Sequence, residues 1–261
     1  MSAIITLTTD WGLLDHYVGV VKGSIISRLP DARIVDITHL IPPFDLKKAA
    51  FILRNTYHFF PKKTIHIIGV STEESESTPH IVVRHDDQYF IGADNGIFTL
   101  LFNGVPELIY ELRITQDSNF FTFSTRDRFV KTAVHLALGN DIEELGVPRT
   151  ELNTYINMQP QLNGNQLQAR VMYIDNYQNI YLNVTSEQFT QMGKGRSFSL
   201  YIKGKPENIK KVQDAYGETP EGEIVVIYST TGFVEIAVNK GNAASLLGFK
   251  PDQVVIIEFH G

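Results

Sequence analysis

Apolar positions recur with two different periods over the first 150 residues. Ile4 to Thr8 is a short, β-branched run that ends at Asp10, which predicts a strand. After Asp15, placed as an N-cap, Val18, Val21, Ile25 and Leu29 fall at helical spacing until Pro30 stops them. Arg33 to Ile37 again has strand character. Asp45 then precedes Leu46, Ala49, Ala50, Leu53 and Tyr57, one face of an amphipathic helix. Thr64 to Val70 continues the alternation. Ile81 to Arg84 and Tyr89 to Gly92 flank a turn at Asp86-Asp87, and Ser124 or Thr125 would cap a helix carrying Phe129, Val130, Ala133, Val134 and Ala137 up to Gly139-Asn140. Alternating strands and helices predict an N-terminal α/β sandwich with a mostly parallel sheet.

Beyond Pro148 the pattern changes. A polar stretch leads into short alternating runs at Leu167 to Ile174, Ile180 to Val184, Phe198 to Ile202, Glu223 to Tyr228, Phe233 to Val238 and Gln253 to Phe259. Turn residues separate them, and only Ala243 to Leu247 has helical character. This texture predicts a C-terminal antiparallel β-barrel. The expected boundaries are a domain over 1–150, a linker over 151–160 and a second domain over 161–261.

Charge and composition then narrow the function. Lys and Arg total 14 against 18 Asp and Glu in residues 1–150, and 9 against 11 thereafter. Neither half supplies the positive footprint of a nucleic-acid binder. The absence of cysteine removes thiolate metal sites, disulfides and cysteine nucleophiles. Apolar runs stay far below the roughly 20 residues of a membrane span, and Met1 to Thr9 lacks a signal-peptide pattern. The expectation is a soluble, cytoplasmic protein with no nucleic-acid or membrane partner.

Generic motif searches find no phosphate-binding glycine loop, no nucleophile elbow and no zinc-protease helix. The eight histidines are scattered, and His85-Asp86-Asp87 fits a solvated hairpin turn better than a metal site. No metal is expected. Asp10 stands above this background, because ligands of parallel sheets bind at the carboxyl ends of the strands and a carboxylate there suits a ribose diol. A simple loop or cap carboxylate is the alternative. Asp175 and Asn179 form a second polar pair in a hairpin-like segment.

Several segments, taken in order, resemble one family. They are Leu7-Thr8-Thr9-Asp10-Trp11-Gly12 with Asp15 and Lys22-Gly23, then Val35-Asp36-Ile37-Thr38-His39, Phe44-Asp45, and Tyr89 through Gly96. Thr122-Phe123 with Arg126-Asp127, Ala133 through Ala137, Ile174-Asp175, Asn179, Gly232 through Asn239 and Asn242-Ala243-Ala244 complete the set. The chain thereby resembles the S-adenosylmethionine hydroxide adenosyltransferases, or hydrolases, and the related fluorinase and chlorinase. The resemblance implies a homotrimer with inter-subunit sites, S-adenosylmethionine or another adenosine compound as ligand or substrate, and no cofactor. It also implies roles for individual residues. Asp10 would take the ribose hydroxyls, Phe44 would flank the sugar, and Tyr216 would stack on adenine. Asn179 and the backbone near Ala243 would read the adenine edge. Asp15 and Asp175 would hold the methionine ammonium, with Thr230 near its carboxylate. Phe44 and Tyr216 would equally suit a core.

The chemistry positions depart from the pattern. The hydrolases carry an aspartate in Val-Asp-Pro-Gly-Val-Gly, an arginine shortly after, and a histidine in Thr-Phe-His-Gly-Arg-Asp. Ser71, Thr78 and Ser124 stand at these places. Thr125 stands where the fluorinase has a halide-site serine, although the long loop of that enzyme is absent between Arg84 and Tyr89. Hydroxyl side chains are neither basic nor ionised at pH 7, so three readings follow: a hydrolase with rearranged groups, a non-catalytic binder, or a transferase using another nucleophile such as chloride. Glu73, Glu74 and Glu76 form either a solvated acidic loop or, with His80, a replacement base.

Overall fold

A computed structural model describes residues 2–102, 104–116, 122–156, 158–202, 205–209 and 211–261. The chain divides into compact units over residues 1–156 and 157–261. The first unit runs β1 (Ile4–Thr9), α1 (Tyr17–Arg28), β2 (Arg33–Thr38), α2 (Leu46–Arg54), β3 (Ile65–Gly69), β4 (His80–His85), β5 (Gln88–Ala93), α3 (Ile97–Leu101), β6 (Leu108–Leu112), α4 (Val130–Ala137) and β7 (Gly146–Pro148). Its sheet has the order β2-β1-β3-β5-β4-β6-β7. The first four strands in that order are mutually parallel, and β4, β6 and β7 extend the sheet antiparallel. The sheet is therefore mixed, with the expected parallel strands as one half.

Local chemistry explains these elements. Asp45 caps α2 by accepting the Lys48 amide at 2.9 Å, and Ala49, Ala50 and Leu53 form the buried face. The β4–β5 hairpin turns on Asp86 and Asp87, both left-handed at φ 51° and 61°. Consecutive left-handed residues match the strand twist, and aspartate tolerates them. Asp15 is not the cap of α1. His16 occupies that position without a side-chain cap, and Asp15 lies exposed in the preceding loop. Ser124 precedes a π-helical turn at Thr125–Phe129 that leads into α4, and it makes no side-chain cap either. The stretch expected as linker is held to the first unit as far as Tyr155. Buried Asp94 accepts the Asn153 amide on both oxygens at 3.0 and 3.1 Å, and Thr99 Oγ1 accepts the Tyr155 amide at 2.9 Å. Gly96, at φ 97°, lies beneath Tyr155, where a Cβ would come within 3.1 Å of its side chain.

The second unit runs β8 (Gln161–Asn163), β9 (Gln166–Ile174), β10 (Ile180–Thr185), α5 (Ser186–Gly193), β11 (Phe198–Ile202), β12 (Lys205–Ile209), β13 (Ile224–Tyr228), β14 (Phe233–Val238), α6 (Ala243–Leu247) and β15 (Val254–Phe259). Strands pair in the order β12-β11-β15-β9-β10-β14-β13, with β8 on β9, as a nearly closed antiparallel barrel-like sheet. Phe189, Phe198 and Phe259 meet edge-on inside it. Helix α5 was not among the expected elements. It is opened by a capping box in which Thr185 and Gln188 satisfy each other's backbone amides.

One buried histidine is expected to make the first unit acid-sensitive. Gln88 donates to the Tyr57 carbonyl, so its Oε1 faces His66 and Nε2 of that imidazole carries the proton. Nδ1 then accepts from Thr6 Oγ1 at 2.7 Å. Burial pushes the His66 imidazole down to about 4. Unfolded histidine titrates near 6.5 and takes up a proton that the folded state refuses, so stability declines as pH falls from about 6.5 toward 4. The expected loss is of order 3 kcal/mol. Urea unfolding at pH 7.5 and pH 5 should show a smaller pH effect for His66→Gln than for the parent, and parallel pH profiles would remove His66 as the cause.

Candidate functional site

Asp10, Phe44, Ser71 and the segment carrying Ser124 gather at the carboxyl edge of the parallel strands, whereas among the described residues no contact joins Asp15 or Thr78 to them. Asp10 follows β1, donates its amide to the Gly69 carbonyl at 3.4 Å and accepts the Phe44 amide on Oδ2 at 2.9 Å. Asp10 and Phe44 are thus in direct contact. Phe44 sits at φ 66°, a strained conformation for a bulky residue, and the residue is 74% exposed. An exposed phenylalanine held in a strained backbone is not a core aromatic.

Trp11 covers the end of β3, where a Cβ on Gly69 would lie 2.6 Å from the indole. The indole meets Phe123 edge-on at 5.5 Å, and Phe123 meets Tyr17 at 5.3 Å. These contacts bring the segment carrying Ser124 against the turn after β1. Ser71, at φ 49°, follows β3, and its carbonyl accepts the Asn95 amide side chain at 3.0 Å, which joins the exits of β3 and β5.

No acid–base unit reaches the hydroxyl positions among the described contacts. Thr78 Oγ1 lies 2.6 Å from Ser75 Oγ within a tight loop turn. Ser124 is buried, and Thr125 is fully buried with its hydroxyl unpartnered among the described residues. Glu73, Glu74 and Glu76 are all exposed, as an acidic loop requires, but Glu74 is also paired. Its Oε2 lies 2.5 Å from Arg128 Nη1, and its Oε1 lies 3.6 Å from His80 Nδ1. His80 Nε2 faces the Thr72 carbonyl at 2.9 Å and so carries the proton. Nδ1 then faces Arg128 Nη1 at 3.3 Å as an acceptor, while burial keeps the imidazole below its ordinary value. This fully buried histidine anchors the loop to the start of the α4 region.

Asp175, Asn179, Tyr216 and Ala243 gather about the β9–β10 hairpin, whereas Thr230 does not join them: its turn lies toward the other end of β10, where Phe233 pairs with Thr185 and the Ser186 amide donates to the Gly232 carbonyl. Asp175 Oδ1 accepts the Asn179 amide at 2.8 Å and Oδ2 accepts the Asn179 side chain at 3.2 Å. The first turn of α6 docks on the same hairpin, because the Ala244 amide donates to the Gln178 carbonyl at 2.9 Å. This places Ala243 beside the turn. Tyr181 stands opposite Glu235 in the β10–β14 register, and its hydroxyl reaches Asp175 Oδ2 at 3.4 Å. Tyr216 donates to Glu235 Oε1 at 2.6 Å. Burial raises the Glu235 carboxyl and both tyrosine hydroxyls. Tyr181 and Glu235 therefore link Tyr216 to Asp175, a connection that sequence reading missed. The signal was a glutamate inside the otherwise apolar run of β14, all buried from Val234 to Val238. Exposed Thr230 sits in the turn before β14, where Ser229 and Thr231 pair their hydroxyls at 2.5 Å.

His85, Asp86 and Glu107 place possible metal donors within 4.8 Å of one another. Hydrogen bonds account for the arrangement: Glu107 accepts the Asp86 amide at 2.9 Å and Asp86 accepts the Tyr57 hydroxyl at 3.3 Å.

Fold and side-chain set define a two-domain α/β-plus-barrel protein with polar clusters at the sheet edge and at one barrel hairpin. The chain belongs to the S-adenosylmethionine hydroxide adenosyltransferase family, whose N-terminal domain matches residues 5–146 and C-terminal domain residues 169–256. It is 30% identical to an (R)-S-adenosyl-L-methionine hydrolase of Salinispora tropica over 95% of this chain and 94% of that one. A fluorinase of Nocardia brasiliensis is 23% identical over 93% and 91%. The crystal structure of an uncharacterized conserved protein from Thermotoga maritima superposes with a TM-score of 0.87, at 30% identity, covering 97% of this chain and 99% of that one.

Proposed function

We propose that this chain binds S-adenosylmethionine, or a closely related adenosine compound, and hydrolyses it far more slowly than the hydrolases it resembles. The observation that carries the reading is the Asp10–Phe44 contact, taken together with hydroxyl residues at all three chemistry positions of the sequence. Asp10 would accept ribose hydroxyls and Phe44 would flank the sugar. Tyr216 would stack on adenine, and Asn179 with the backbone at Ala243 would read its edge. Asp15 and Asp175 would hold the ammonium, with Thr230 near the carboxylate; an ammonium and a sulfonium both favour nearby carboxylates. The homotrimer with inter-subunit sites and the cytoplasmic location belong to the same proposal, and among the described residues no helix is long and apolar enough to cross a membrane.

Attack at the 5′ carbon of a sulfonium expels a neutral thioether, so neither an acid nor a cofactor is required for the leaving group. Water needs activation, which neutral hydroxyls do not supply. A second reading, adenosyl transfer to chloride, draws on the buried Thr125 hydroxyl, which has no partner among the described residues. Incubation with S-adenosylmethionine, with and without chloride, followed by chromatography separates unchanged ligand, adenosine and 5′-chloro-5′-deoxyadenosine. Absence of binding by calorimetry would end the proposal.

Tyr216 supplies a test within the second unit. The residue is 41% exposed but its hydroxyl serves the buried Glu235, so Tyr216→Ala should lower the melting temperature by a few degrees through that lost donor while weakening adenosine binding by about tenfold through lost stacking area. A variant that fails to fold would make Tyr216 a core aromatic instead.

A further inference from the structure

Four residues in the family-like segments have no part in the ligand scheme above: Thr9, Lys22, Asp36 and His39. The structure joins them into one chain. Lys22 Nζ on α1 lies 2.5 Å from Asp36 Oδ2 on β2, and Asp36 Oδ1 lies 3.1 Å from His39 Nε2. His39 Nδ1 lies 2.7 Å from Thr9 Oγ1, at the end of β1. The chain begins at the partly exposed Lys22 and Asp36 and ends at His39, 3% exposed, and Thr9, fully buried.

The carboxylate decides the tautomer. Facing Asp36, Nε2 carries the proton, so Nδ1 accepts and the Thr9 hydroxyl donates. Nδ1 is hydrogen-bonded to Thr9, Nε2 faces Asp36 at ion-pair distance without hydrogen-bond geometry, and the ring is buried, so His39 does not itself reach a ligand. Its surroundings reveal what it holds. The Ile41 amide donates to the Thr9 carbonyl at 3.4 Å, and the Gly12 amide donates to the His39 carbonyl at 2.8 Å. A few residues further along the same two segments, the Phe44 amide meets Asp10 Oδ2. His39 therefore stands between the turn that carries Asp10 and the loop that carries Phe44, tied to one by its side chain and backbone and continuous with the other. A phenylalanine at φ 66° persists only where neighbouring structure over-determines it, and the stitching around His39 meets that need.

We infer that His39, backed by Asp36 and Lys22, is a positioning residue that holds Asp10 and Phe44 in one geometry for the ribose hydroxyls of an adenosine compound. The inference rests on the ligand reading proposed above. It predicts a specificity effect, since loss of the imidazole would misplace the ribose contact and leave adenine recognition in the second unit untouched.

The test compares adenosine with 2′,3′-dideoxyadenosine by calorimetric titration of the full chain. His39→Ala should weaken adenosine about tenfold or more, the scale of a displaced charged hydrogen bond, and change 2′,3′-dideoxyadenosine affinity by less than about threefold. Added to Asp10→Ala, it should weaken adenosine no further. Asp36→Asn should reproduce the pattern at smaller amplitude, and His39→Gln should recover part of the loss. Equal weakening of both nucleosides, full additivity with Asp10→Ala, or unchanged adenosine affinity would each overturn the inference. If His39→Ala does not fold, Asp36→Asn, altered at a partly exposed carboxylate, decides by the same criteria. A parent protein that binds neither nucleoside would overturn the ligand reading and this inference with it, whereas a binding parent with indifferent variants would overturn this inference alone.

Discussion

Hydrolysis of S-adenosylmethionine by this chain is expected to run about 10²–10⁴-fold below that of a relative with the aspartate, arginine and histidine intact, the range contributed by general-base assistance. Ser71, Thr78 and Ser124 orient water at most. Their places in the structure explain how restoration should behave. Ser71 is left-handed at φ 49°, a conformation that aspartate tolerates, so Ser71→Asp should fit without rebuilding the turn. Thr78→Arg must replace the 2.6 Å contact with Ser75, and Ser124→His must fit a buried position. The Glu74–Arg128 pair should keep the loop anchored meanwhile. The three changes together should raise adenosine production, measured by chromatography, and single changes should do little because such residues act as one unit. Brisk hydrolysis by the parent, abolished by Glu74→Gln or His80→Ala, would show that the Glu74–His80 pair had taken over the missing role.

Asp10→Ala is expected to weaken adenosine binding by about 1.5–3 kcal/mol, or roughly 10- to 150-fold, because a ribose diol loses a charged acceptor. The structure adds a second contribution. The same carboxylate accepts the Phe44 amide at 2.9 Å, so the strained loop loses a tether and the aromatic wall is released with it. Asp10→Asn, which keeps an acceptor for that amide, should fall between Ala and the parent. Because Asp10 is only half-buried at a strand end, thermal stability should change less than affinity. Equal affinities for parent and Asp10→Ala in calorimetric titration would remove Asp10 from the site.

The elements that the sequence foretold are those fixed by short-range rules. The α2 cap at Asp45, the Asp86-Asp87 hairpin and strands β11 and β14 depend on a few adjacent residues and a period of two or 3.6. Helix α5 escaped because its eight residues lie among alternating strands, although the capping box Thr185 and Gln188 was there to read. Asp15 failed as a cap because the helix begins one residue later than its spacing suggests, at Tyr17.

For the site, the sequence by itself determined the chemical inventory: a carboxylate at the end of β1, an Asp175–Asn179 hairpin, and three hydroxyls where an acid–base set would stand. Side-chain identity settles what a group is able to donate, accept or ionise. Only the tertiary structure decided which groups meet. Glu74 and Arg128 lie on a loop and a helical turn far apart in the chain, Glu235 meets Tyr181 through strand register, and His39 reaches Thr9 from the loop after β2. Periodicity determines which side of a strand faces inward. The pairing of buried polar groups depends on register, crossover and loop path, and a misplaced partner would leave a desolvated charge or hydroxyl unsatisfied.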